Sequence, residues 1–287
     1  MRDEVNHWLD DRCAQAFWDQ CLALPYQELL RDTARWLEPH AGETWLDLGC
    51  GSGQLTALLW YKTQGQLARI VCMDCAAVNE QAIARLRRKL TPTPADGQIV
   101  FCRHNFSDGL PQFADGTFDG IVSGLALSYA ESRDARGQYT DSAYKRLLAE
   151  AARVLKPHGQ FVFSVNVPEP RFGRIFWRSL PAAWRIRRPM RVLLNALAML
   201  RYGRWLKREA RRGRFHFLPA SILVQYLRAA GFGDLRVRLS YADQAYVIAA
   251  RRLAAHDVPA PGCRDDRNRT LSQVREPLGS PVRPAAR

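Results

Sequence analysis

The sequence predicts an α/β domain, a mostly parallel sheet with helices on both faces, and three observations predict it. Short, near-continuous apolar runs alternate with stretches of helical spacing. The first run ends in a glycine-rich turn that opens a helix, and the second ends in an acidic residue. Strands that are apolar on both sides need cover on both faces, which is the condition of sheets whose crossovers are helices. The 287 residues, 47% hydrophobic and 24% charged, suffice for one large domain and exclude a disordered chain, a collagen-like repeat or a minimal disulfide scaffold.

Taken in order, large apolar residues at helical spacing from Glu4 to Leu37 predict two helices, broken near Pro25 and stopped at Pro39. Thr44 to Cys50 then reads as strand, the following glycines as a loop, and Gln54 to Lys62 as helix. The alternation continues with strand Ala68 to Asp74, helix Val78 to Leu90, strand Ile99 to His104, strand Phe118 to Leu125 and a helix from Tyr139 to Leu155. Lys156, Pro157 and Gly159 end that helix, and Gln160 to Val165 is a further buried strand. A helix over Pro219 to Ala230 precedes two closely spaced strands, Asp234 to Ser240 and Ala245 to Arg251, whose hairpin makes one of them antiparallel. After Ala255 the apolar pattern fades, and the reading there is a disordered tail over 254–287.

Seven scattered cysteines without a leader-type start predict a reduced, cytoplasmic protein. The pair Cys72 and Cys75 straddles a strand end with no second pair, so both are read as structural, and the chain offers no metal-ligand spacing. Val192 to Leu200, the longest near-apolar stretch of the C-terminal half, has nine residues, whereas a spanning helix needs about 20. The net charge of +14 is concentrated: Arg171 to Arg214 carries 14 Arg and Lys against the single acid Glu209. That segment is predicted to be a basic helical insertion, its Arg interleaved with Trp and Leu.

Residues 46–53 read Leu-Asp-Leu-Gly-Cys-Gly-Ser-Gly. Glycines at 49, 51 and 53 let a ligand approach the backbone. A dinucleotide fingerprint would need glycine where Gln54 stands, and no Gly-Lys-Ser or Gly-Lys-Thr follows, so both phosphate-binding readings weaken. Asp74, 25 residues after Gly49, can accept hydrogen bonds from both hydroxyls of a free ribose. Loop and acid together call for a ligand with a ribose and no pyrophosphate.

In these motifs and their order the sequence resembles the class I S-adenosylmethionine-dependent methyltransferases. Leu46–Gly53 is similar to their first motif, Asp74 to their ribose-binding acid, and Asn105-Phe106 stands where the family usually contacts adenine. Phe118-Asp119-Gly120 opens the fourth strand, and Leu155-Lys156-Pro157-His158-Gly159 is similar to the family's turn before the fifth, His158 being a departure. The resemblance spans about residues 26–251 outside the basic segment. It implies a Rossmann-like seven-stranded sheet with the last strand antiparallel and S-adenosyl-L-methionine as cofactor. It also implies a cofactor site drawn from Asp47, Gly49, Gly51, Gly53, Asp74, Asn105, Phe106, Ser123 and Tyr26. The implied organisation is an N-terminal helical lid over 1–40, with Tyr26 and Trp18 near the methionine end, a domain over 41–253 with the insertion 171–214, and the tail.

The sulfonium methyl is already activated, so such a site needs in-line positioning and exclusion of water more than a catalytic triad. Tyr129 and Ser128, at the exit of the fourth strand, are candidate acceptor contacts, and His216 or His104 candidate general bases for a hydroxyl acceptor. The acceptor expected is small and hydrophobic or lipid-like, entering beneath the basic segment. That segment suits an anionic membrane surface best by its Arg, Trp and Leu composition. A solvated lid and a nucleic-acid groove remain open; the groove is weakened by the lack of an added RNA-binding domain. An RNA methyltransferase and a non-catalytic binding module are the competing functions.

Overall fold

The computed structural model describes residues 7–15, 18, 23–171, 173–175, 177, 178 and 202–254. The expected tail beyond Ala254 and the centre of the basic segment, Trp184 included, lie outside them. Seven strands form one sheet: β1 Thr44–Leu48, β2 Arg69–Asp74, β3 Ile99–Arg103, β4 Phe118–Gly124, β5 Leu155–Asn166, β6 Phe232–Ser240 and β7 Ala245–Arg252. Their order is β3-β2-β1-β4-β5-β7-β6. The first five run parallel, and β7 is antiparallel to both β5 and β6. The helices are α1 Asp11–Gln15, α2 Leu24–Trp36, α3 Gln54–Lys62, α4 Val78–Arg87, α5 Ser142–Val154, α6 over 202–211 and α7 Ala220–Ala229.

Side-chain alternation explains the two-sided cover. On β1, Leu46 and Leu48 join the cluster formed with α5 and α7 (Tyr144, Leu147, Leu223, Leu227), while Trp45 joins the opposite cluster with α2, α3 and α4 (Leu29, Leu59, Ile83). On β7, Tyr246, Ile248 and Ala250 face the first cluster, and Ala245, Val247 and Ala249 the second. Both faces of these strands are thus apolar, as the near-continuous runs require.

The helix boundary expected near Pro25 is the start of α2 at Leu24, and Pro25 sits in its first turn, where its missing N–H costs nothing. The buried carboxylate of Asp32 accepts from Ser240 Oγ at 2.7 Å. Gln160 links the end of α2 to β5, donating to Trp36 O at 2.8 Å and accepting from Glu38 N at 3.0 Å. So α2 is docked on the sheet along its length, and its first turn reaches the carboxyl ends of the strands.

The helix expected from Tyr139 starts at Ser142 instead. Ser132–Arg133 pairs with Tyr139–Thr140 in a two-residue ribbon closed by the Asp134–Gly137 turn, and Ser132 Oγ accepts from Ala143 N at 3.0 Å. His158 takes the left-handed conformation (φ 61°) in the exposed turn within β5.

At the centre of the sheet, Gly120 lies under the ring of Trp45. A Cβ there would fall 2.4 Å from the Trp45 ring, which is 1% exposed and held by its Nε1–H donating to Glu43 Oε2 at 2.8 Å. The ring cannot step aside, so G120A should destabilise the chain by about 2 kcal/mol. Urea unfolding followed by circular dichroism checks this, the expected outcome being a lower midpoint with an unchanged slope.

Candidate functional site

A cleft enclosing about 1090 Å³, its open mouth included, crosses the carboxyl ends of β1 to β5. It sits where strand order reverses between β1 and β4, the switch point at which open α/β sheets bind ligands. Its floor is built by the turns after the strands: Gly49 to Ser52 after β1, Asp74 and Cys75 at the end of β2, Asn105 and Phe106 after β3, Leu125 and Ala126 after β4.

Each loop glycine has its own reason. A Cβ on Gly49 would come within 2.5 Å of Ala126 Cβ, and one on Gly53 would strike Leu86 and Ile83, where α3 and α4 pack closely. Gly51 has φ +52° and nothing within 4 Å of where its Cβ would stand, so its bare backbone is open. The loop is anchored to β2, because Gly49 N and Cys50 N both donate to Met73 O, at 2.8 and 2.9 Å. Asp74 completes the brace, accepting from Gly51 N at 2.9 Å and from Ala76 N at 3.0 Å. Burial pushes the Asp74 carboxyl up, and these backbone N–H bonds pull against that shift.

Of the residues singled out in the sequence, Tyr26, Gly49, Gly51, Asp74, Asn105, Phe106 and Tyr129 line the cleft. Asn105 Oδ1 accepts from Ser107 N at 3.0 Å, capping a short 3-10 turn and leaving the amide N–H groups as its donors. Asp47 and Ser123 do not line it. Asp47 is 1% exposed beneath the loop, and its Oδ2 accepts from Thr56 N at 3.0 Å and Thr56 Oγ1 at 2.6 Å, tying the start of α3 to β1. Ser123 is fully buried and donates to Leu48 O at 2.6 Å. Gly53 serves the helix packing just described. The sequence pattern could not separate these braces from lining residues, because braces and lining share the same few positions of the loop.

Neither histidine reaches the cleft. His104 Nε2 lies 3.1 Å from Gly109 O. His216 has its backbone N–H bonded to Ser128 O at 2.8 Å and its ring 5.5 Å from that of Tyr144, and burial lowers its pKa. Ser128 is likewise fully buried and away from the lining. Trp18 stands at the Asp74 end rather than the opposite one, donating from Nε1 to Asn79 Oδ1 at 2.9 Å.

Sequence reasoning missed Trp8, Asn166, Leu206 and Tyr241, all of which line the end beyond Leu125. Asn166 was detectable as the polar residue closing an apolar strand. Tyr241 gave no signal: it enters from a β6–β7 turn in which Tyr241, Ala242 and Asp243 all have positive φ. The ring of Trp8 lies tilted against Tyr129 at 4.6 Å, and Trp205 and Leu206 of α6 join the same cluster with Phe215. The buried Arg214 ties this roof down, pairing with Glu131 at 3.0 Å and Glu209 of α6 at 3.5 Å.

The comparisons with known proteins agree with this geometry. The family model described as a methyltransferase domain matches residues 46–163. This match covers less than half of the chain, and it is in keeping with the class I S-adenosylmethionine-dependent methyltransferases that the motifs resemble. This methyltransferase domain has curated relatives: the biotin biosynthesis bifunctional protein BioHC of Teredinibacter turnerae is 32% identical over 149 residues, 50% of this chain and 22% of that protein. The 2-phytyl-1,4-naphtoquinone methyltransferase of Thermosynechococcus vestitus is 42% identical over 93 residues, 32% of this chain and 37% of that protein. The chain thus spans well under half the length of either. The fold of the methyltransferase domain is shared with a SAM dependent methyltransferase from Aquifex aeolicus, with a TM-score of 0.51 and 15% identity over 85% of this chain and 99% of that one.

One buried acid in the methyltransferase domain titrates in an accessible range. Asp47 is pushed up to about 7, chiefly by burial, with the Thr56 hydrogen bonds opposing; its Oδ1 has no partner. Between its unfolded value near 3.8 and about 7 the native state holds a proton that the unfolded state has lost, so stability falls as pH rises through that window. D47N supplies a neutral group of the same shape and should remove this loss. Unfolding midpoints should therefore favour the variant progressively more, relative to wild type, from pH 4 to pH 8.

Proposed function

We propose that the chain transfers a methyl group from S-adenosylmethionine to a small, hydrophobic acceptor. The observation that carries the reading is the glycine loop held open at Gly51 by Asp74, at the switch point of the sheet. The residues present fit the cofactor. In this reading the Asp74 carboxylate meets the ribose hydroxyls, the amide of Asn105 and the ring of Phe106 flank the adenine, and Tyr26 covers the methionine end. The cofactor supplies an activated sulfonium methyl; the protein's part is to line up the acceptor and keep water out. Trp8 and Leu206 exclude water at the far end of the cleft. The naphtoquinone named for one relative supports a small hydrophobic acceptor. In this reading the N-terminal lid expected over 1–40 covers the cleft, and Trp8, Ala14 and Trp18 are the residues of it that line the cleft alongside Tyr26.

The basic segment, in the same reading, meets an anionic membrane surface through the outer side of α6, where Arg204, Arg208, Arg211 and Arg212 are exposed. Trp205 is not the membrane anchor its composition suggested, since it packs inward between His7, Tyr202 and Phe215. Trp177 is 69% exposed and suits that role. No helix among the described residues is long and apolar enough to cross a membrane.

Calorimetric titration tests the first part: wild type should bind S-adenosylmethionine, and D74A should bind it at least about tenfold more weakly with an unchanged far-ultraviolet spectrum. Unchanged affinity would remove Asp74 from the site. For the second part, the R204E/R211E variant should lose most co-sedimentation with phosphatidylserine vesicles, because each basic residue near such a surface contributes about 1 kcal/mol. Equal sedimentation of wild type with neutral and anionic vesicles would overturn it.

A further inference from the structure

The end of the cleft beyond Leu125 has a composition unlike the rest. Its lining is Trp8, Tyr129, Asn166, Leu206 and Tyr241, and no Asp, Glu, Lys or Arg is among the described residues that line it. Asp74, the one carboxylate on the cleft, belongs to the opposite end. Tyr129 packs with Phe215, edge-on at 5.0 Å, with Phe217 at 6.2 Å and with the tilted ring of Trp8 at 4.6 Å. Aromatic walls in this arrangement offer flat apolar faces and ring edges to an occupant that is itself flat. A charged occupant would lose its hydration here and gain no countercharge.

Among the polar groups of this lining, Tyr129 and Asn166 are coupled. Asn166, 3% exposed, donates from Nδ2 to Tyr129 Oη at 3.4 Å. The phenol therefore accepts from the amide, and among the described residues no acceptor takes its own proton. Burial pushes the Tyr129 phenol up, so it stays protonated and remains a donor across neutral pH. A buried O–H without an acceptor is costly, and an oxygen on the occupant relieves that cost.

We propose that the acceptor is a neutral aromatic ring compound carrying a hydroxyl, packed against the aromatic wall that Trp8 and Tyr129 form together and oriented through that hydroxyl by the Tyr129 phenol and the Asn166 amide. Tyr129 donates to the hydroxyl oxygen, and Asn166 holds Tyr129 in the orientation that lets it do so. Asn166 is a positioning residue and Tyr129 a direct contact. The strained turn that delivers Tyr241 supplies a further wall of the same chamber, a conformation kept where the surrounding structure over-determines it. This inference rests on the methyltransferase reading, and names the acceptor class for the same site.

The test uses the full chain with S-adenosylhomocysteine, titrated with 2-naphthol, naphthalene and 2-naphthoate by calorimetry and tryptophan fluorescence. Wild type should bind 2-naphthol about tenfold more tightly than naphthalene and reject the anionic 2-naphthoate. In Y129F the preference for 2-naphthol over naphthalene should vanish while affinity for S-adenosylhomocysteine stays within twofold of wild type. N166L should halve the preference or more, and N166Q should restore part of it. W8A should weaken both neutral compounds together. A wild type that binds S-adenosylhomocysteine but treats the three compounds alike, or prefers 2-naphthoate, overturns the acceptor class alone. Retention of the full preference in Y129F overturns it as well. Failure of wild type to bind S-adenosylhomocysteine overturns the methyltransferase reading beneath it.

Discussion

The bond from Gly51 N to the Asp74 carboxylate is the constraint on which the site depends. A loop with three positive-φ glycines in five residues has high conformational entropy, and without an anchor it would sample many shapes. The carboxylate at the end of β2, together with the carbonyl of Met73, fixes it to the neighbouring strand at three backbone N–H groups. Beneath the loop, Asp47 does the corresponding work for the start of α3 through Thr56. Two carboxylates on adjacent strands thus hold one turn from above and below, and both are held in buried surroundings that push them toward protonation. The side of Gly51 that stays bare is what remains for a ligand.

The opposite end of the cleft is organised on a different principle. There the floor is a strand end, Asn166, but the walls come from distant parts of the chain: residue 8 from the N-terminal side, α6 from the basic segment, and the β6–β7 turn. Their common support is ionic. Arg214, Glu131 and Glu209 form a buried cluster that pins α6 beside the exit of β4, and the rings of Tyr129, Phe215 and Trp205 pack next to it. Breaking such a buried pair leaves an uncompensated charge, so the roof is held firmly in one place.

Much of this was legible in the sequence, for physical reasons. β1 to β4 are short and near-continuously apolar, so their existence and order follow from alternation with helices, and they begin and end within two residues of expectation. The loop and Asp74 were legible because chemistry restricts those positions to few residue types. What escaped is long-range: Trp8, Leu206 and Tyr241 have no local pattern that marks them, since only tertiary packing brings them together. Tyr241 is the sharpest case, because three consecutive left-handed residues other than glycine violate every turn rule a sequence reader would apply. Charge pattern misled at Trp205, where proximity to Arg suggested a membrane face and packing turned the ring inward. His216 misled because a histidine near an expected site is chemically plausible, whereas its ring packs against Tyr144, outside the cleft lining.

The central claim is that one ligand occupies the whole floor, from Asp74 to the loop and on to the turn after β3. Amide hydrogen exchange of the full chain, with and without saturating S-adenosylmethionine, tests it most directly. The account requires slowed exchange in residues 49–53, 74–76 and 105–107 together, with smaller slowing in residues 7–15. Protection absent from these segments, or confined to the basic segment, would contradict it.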